Sequence, residues 1–80
     1  MSRIEFQRLP VTINHPFGSI AVFEDNNQVE ELPITELGLN GHASRQILQD
    51  AGFSQVQARS IVLAAQDYLD GRLAGGFDLV

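Results

Sequence analysis

Ten acids stand against five arginines and no lysine in these 80 residues, a formal net charge of −5, and there is no cysteine. The missing thiols exclude disulfides and thiolate metal sites, and a chain so poor in phosphate-neutralising cations is disfavoured as a direct nucleic-acid binder. No apolar run nears the roughly 18 residues of a membrane span.

Residues 3–9 alternate, with Ile4 and Phe6 on one side and Glu5 and Gln7 on the other, which predicts a strand with one face buried. Pro10 interrupts it, and Val11 and Ile13 are expected to resume the ladder. Asn14-His15-Pro16-Phe17-Gly18 reads as a turn, because proline fixes φ and glycine permits positive φ. The run Ile20-Ala21-Val22-Phe23 is the best central strand. Asp25-Asn26-Asn27 turns the chain, and Gln28–Ile34 returns with Val29 and Leu32, its late Pro33 suiting an edge.

The period then changes. Thr35 is expected to cap a short turn through Glu36 and Leu37 that Gly38 stops. Asn40, or the pair Gly41-His42, opens a helix with Ala43, Ile47, Leu48 and Ala51 on its apolar face, ended by Gly52. Ser54 and Gln57 form a capping box for a longer helix whose inner face is Ala58, Ile61, Val62, Ala65, Tyr68 and Leu69. Gly71 marks its end. Gly75-Gly76 then releases a short apolar segment, Phe77 to Val80, able to pair at home, swap onto a mate, or enter a carboxylate-binding pocket.

The expected fold class is α+β: a three-stranded antiparallel β-meander over about 3–34, then a helical hairpin over about 42–51 and 55–70. The chain reads as one domain, 1–80, with 74–80 as a flexible or swapped tail. A core this small buries only about 60% of the unfolded surface. Such folds usually need a staple, so a homodimer is expected, with Phe77, Leu79 and Val80 as dimer or tail contacts. The opening residues do not read as a signal peptide, and the expected compartment is the cytoplasm.

Catalytic chemistry finds no foothold. Nucleophiles need an oriented base within hydrogen-bond reach. Ser54 reads as a cap, Ser60 falls near a packed face, and His42 and Ser44 are two apart on a helix, where side chains diverge. Asp25, Asn27 and Glu30 imitate a calcium loop, but Glu30 stands where the sharp turn needs glycine. No metal site or cofactor is expected, and His15 and His42 have no ligand spacing. Arg45, Arg59 and Arg72 on the helices are too few and scattered for nucleic acid.

Two short stretches carry resemblances. Gly38-Leu39-Asn40-Gly41 resembles the Gly-x-x-Gly clamp of RNA-binding KH domains, which would imply phosphate binding. It lacks that family's basic residues, and turn geometry alone explains it. The stretch from Leu48 through Gly52-Phe53 to Ala58 is similar to the helix–Gly-Phe–helix corner of ubiquitin-associated domains, and reads as structure.

The remaining signal is charge. Glu24, Asp25, Glu30, Glu31 and Glu36 lie within thirteen residues with no base between them. Hairpin pairing is expected to gather them at one pole as a surface for a basic protein partner. In size, acidity and lack of motifs the chain resembles phage-encoded anti-CRISPR proteins. That resemblance implies a non-enzymatic inhibitor occupying a basic nucleic-acid channel of a CRISPR effector in the host cytoplasm. The alternative is a small structural or assembly subunit that works through the apolar tail and helix contacts.

Overall fold

Alternation makes the first strand, β1 (Ser2–Leu9), with Ile4 and Phe6 buried and Arg3 and Gln7 exposed. The computed structural model describes residues 2–80. After β1 come β2 (Ser19–Glu24), β3 (Asn27–Pro33), α1 (Ile34–Gly38), α2 (His42–Asp50), α3 (Gln55–Leu69) and β4 (Gly76–Leu79). The fold is α+β, and the meander β1–β2–β3 is present. A fourth strand joins it, and the antiparallel sheet runs β3-β2-β1-β4. β2 is internal and β3 is an edge.

The ladder does not resume after Pro10. Val11 and Ile13 are 66% and 99% exposed, in a loop folded on itself by hydrogen bonds from the Thr12 and Gly18 N–H groups to the His15 carbonyl. Proline withholds a ladder donor and the chain turns away. The β2–β3 hairpin closes on Asp25 and Asn26, both at positive φ (50° and 72°), between the paired Glu24 and Asn27. That is the mirror-image two-residue turn whose twist suits a hairpin.

One residue of β3 is extra. Phe23 faces Gln28 and Val22 faces Glu30, so Val29 is bulged out of the ladder. Regular pairing from the tip would have set Glu31 opposite Ile20, in the core, and turned Leu32 outward. With the bulge, Leu32 faces Ile20 and is buried, while Glu31 faces Ala21 on the other side of the sheet.

Facing pairs Phe6–Val22, Ile20–Leu32 and Ile4–Phe77 define one sheet face, which packs on Leu37, Leu48, Ile61, Val62 and Ala65 from the helices. The opposite face carries Glu5, Gln7, Phe23 and Glu31 and has no helix over it.

Helix ends follow their sequence signals with two corrections. α1 starts at Ile34 after Pro33, with no side-chain cap, so Thr35 is not a cap. Pro33, the last residue of β3, holds the extended N-cap conformation (φ −62°, ψ 135°) that precedes the first helical residue. α2 is capped by Gly41, and the Asn40 side chain accepts from the His42 N–H at 2.9 Å. Leu48 is its buried apolar residue, but Ala51 is exposed and Ser44 is buried instead. Phe53 N–H reaches Leu48 O and Gly52 N–H reaches Gln49 O, a Schellman close that drops Phe53 into the core. The Ser54–Gln57 capping box opens α3 with both of its bonds made. Arg72 N–H to Asp67 O and Gly71 N–H to Tyr68 O close α3 the same way.

Residues 76–79 are a strand of the chain's own sheet. Ser2 pairs with Leu79 and Ile4 with Phe77, and Leu79 is buried. Gly76 lies so close to β1 that an added Cβ would fall 2.7 Å from the Ile4 carbonyl oxygen. Phe6 is flanked by the rings of Tyr68 at 5.6 Å and Phe77 at 6.2 Å, which tie β4 to α3 across the core.

Candidate interaction surfaces

The five acids do not share a pole. Glu24 ends β2 and Asp25 sits in the hairpin turn, where its carboxylate accepts from the Arg3 N–H at 2.9 Å. Glu30 and Glu31 fall on opposite faces of β3, because successive residues of a strand alternate. Glu36 lies on α1, past the other end of β3. Hairpin pairing joins the ends of β2 and β3 but not the two ends of β3, and the seven residues of that strand hold Glu36 roughly 20 Å from the tip. At the tip end Asp25 holds the Arg3 main-chain N–H and Asp78 lies 3.4 Å from the Arg3 guanidinium, while Glu24, paired with Ile4, belongs to the other sheet face.

Glu31 has a different employment. Its Oε2 accepts from the buried Ser19 hydroxyl at 2.6 Å and lies 3.3 Å from His15 Nε2. Serine, carboxylate and imidazole meet here, but both the hydroxyl and the imidazole address the carboxylate, and the imidazole is not placed to take the serine's proton. A nucleophile needs the opposite order. The trio fastens the β1–β2 loop to the sheet. Among the described residues no group of three or more His, Asp or Glu is arranged to hold a metal ion.

The two remaining expected contacts, Phe77 and Val80, line a trough of about 580 Å³ between α3 and β4, with Leu79 at its floor. Val56 and Leu63 line it from α3, and Leu73 from the connection between α3 and β4; Val56, Leu63 and Val80 are exposed. Sequence reading passed over Val56 and Leu63, although they recur seven apart on a helix whose buried set is Ala58, Ile61, Val62 and Ala65. Such an i, i+7 pair outside the inner face is the signal of a second apolar stripe. Val11, Ile13 and Phe17 form another exposed apolar group at the β1–β2 loop.

The sheet's two edges differ in their protection. β3 carries a bulge, two glutamates and a terminal proline, devices that natural sheets use against edge-to-edge pairing. β4 has its short length and Asp78, and the latter is drawn to Arg3. No helix among the described residues is long and apolar enough to cross a membrane. No protein-family model, curated protein or solved structure matches the chain.

Proposed function

We propose that this chain is a non-enzymatic protein-interaction subunit that pairs with a second copy of itself along the open edge of β4, burying the trough beside α3. The observation that carries the reading is the coincidence of the less guarded strand edge with exposed Val56, Leu63 and Val80. Antiparallel pairing of β4 with its mate would satisfy the free main-chain groups of both edges and cover both troughs at once. An 80-residue chain with a marginal core gains from such a seal.

Sedimentation of the wild-type chain is expected at twice its 8.8 kDa mass. V56R/L63R, altered at exposed positions and so changed in stability by only about 0.5 kcal/mol, is expected at the single-chain mass. A wild type that sediments as a monomer at high concentration would overturn the reading.

A second reading follows the charge. Three acids, Glu24, Asp25 and Asp78, against the single Arg3 leave the hairpin tip acidic, and Glu30 adds a half-buried carboxylate on β3. A partner with a basic surface would be steered to this end. The size-and-charge resemblance to anti-CRISPR proteins would make that partner the nucleic-acid channel of an effector complex. E24K/E30K is then expected to abolish inhibition of effector cleavage in a purified assay while Glu31 keeps its bond to Ser19. Wild-type chain with no effect on cleavage would eliminate this reading.

A further inference from the structure

Between α2 and the start of α3, adjoining the trough at Val56, which lines both, the acidic chain opens a groove with no acid in its lining. His42, Arg45, Gln46 and Gln49 line it from α2, and Gln55 and Arg59 face them from the first turns of α3. The α2 residues follow the spacing i, i+3, i+4, i+7, so they form one continuous stripe along that helix. The groove volume is about 490 Å³, within the span of roughly 300–1,000 Å³ usual for ligand sites.

The fold builds this groove from below. Gly41, at φ +73°, lets the start of α2 press against α3; a Cβ there would fall 2.5 Å from Val62 Cγ1. Asn40 fixes both ends of the first turn of α2. Its side chain takes the His42 N–H, and its carbonyl accepts from Arg45 Nη1 at 3.1 Å. Arg45 is thus aimed while its other N–H donors stay free. Gln46 donates to Asp50 at 3.1 Å, and its side-chain oxygen makes no hydrogen bond among the described residues.

The chain has twice as many acids as arginines, yet neither Arg45 nor Arg59 has a carboxylate within ion-pair distance among the described residues. Two guanidiniums and an imidazole line one groove, and the nearby Asp50 is bonded to Gln46 rather than to either arginine. We infer that this groove binds an extended acidic peptide segment of a protein partner, its carboxylates on Arg45 and Arg59. Arg presents a planar fork of donors matched to carboxylate. Gln49 and Gln55 each offer both a donor and an acceptor, the pair of functions a peptide main chain needs. A nucleic-acid strand is disfavoured here, because two arginines neutralise too few phosphates against a net charge of −5. An isolated phosphate would seek free N–H groups at the helix start, but the His42 N–H is already taken by Asn40.

The test is fluorescence anisotropy with dye-labelled tetraglutamate at low ionic strength. Saturable binding is expected, weakening as salt is raised. R45Q/R59Q is expected to lower the affinity about tenfold or more, as is usual for loss of charge-assisted pairs, whereas R72Q, outside the groove, leaves it unchanged. R59Q alone, at an exposed position, should give a partial loss and guards against any disturbance of α2 by the change at Arg45. Absence of saturation, or equal loss in R72Q, would overturn the inference. So would displacement of the peptide by a thymidine oligonucleotide or inorganic phosphate as effective as displacement by unlabelled tetraglutamate.

Discussion

The two edges of this sheet solve the same problem in opposite ways. β3 is longer, and it is defended by Val29 bulged from the ladder, by Glu30 and Glu31 on opposite faces, and by Pro33 at its end. β4 is four residues of Gly76-Phe77-Asp78-Leu79 held to β1 by Leu79 and Phe77 beneath it and by Arg3–Asp78 above. The first edge is the more heavily guarded against a new strand, the second the less. In a fold whose helices all lie on one face, that asymmetry is the best guide to where a neighbour docks.

The difference between the edges depends most on Gly76. A side chain there would meet the Ile4 carbonyl oxygen at 2.7 Å and Glu5 Cγ at 2.8 Å, and β1 is too central to yield. Gly76→Val is expected to lift β4 from β1 and to cost about 1–3 kcal/mol, the usual range for overpacking. It should also remove self-association, because the receiving edge is gone. Gly38→Ala is the control: nothing lies within 4 Å of its added Cβ, and its cost should stay within about 0.5 kcal/mol. Urea denaturation and sedimentation of both variants decide the matter. A Gly76→Val chain as stable and as associated as wild type would mean that β4 contributes neither to the fold nor to the edge.

Legibility in the sequence divided along the range of the interactions. α3 was readable because its signals are local: Ser54 and Gln57 cap it, its apolar residues recur at helical spacing, and Gly71 ends it. Gly52 and Phe53 were readable for the same reason. The β1–β2 loop was not, because Val11-Thr12-Ile13 keeps the alternation of a strand, and only the turn through His15 shows that it leaves the sheet. β4 is too short to be told from a loose tail without the β1 edge that receives it. The acids misled for a related reason. Thirteen residues that are close in sequence cross a turn, a strand and the start of a helix, and the bulge at Val29 decides which face each glutamate takes. The arginine groove was invisible because its residues belong to two helices, and what marks it is that neither of its arginines is ion-paired among the described residues.

The bulge was nonetheless foreshadowed. Val29 and Leu32 are three apart, a spacing that no regular strand can turn to one face, yet both pack toward the core. Val29 therefore separates backbone shape from charge as the guard on β3. Deleting Val29 leaves Gln28 opposite Phe23 and Glu30 opposite Val22, so the register on either side survives and Leu32 stays buried. The loss is then the packing of one half-buried valine, about 1 kcal/mol. The gain is a straighter edge with its ladder groups in line. Made in the V56R/L63R background, where the β4 route is closed, the deletion is expected to produce species heavier than the single chain. Should that protein remain at the single-chain mass, the guard on β3 is the charge of Glu30 and Glu31 rather than the bulge, and the asymmetry between the edges becomes one of electrostatics instead of backbone shape.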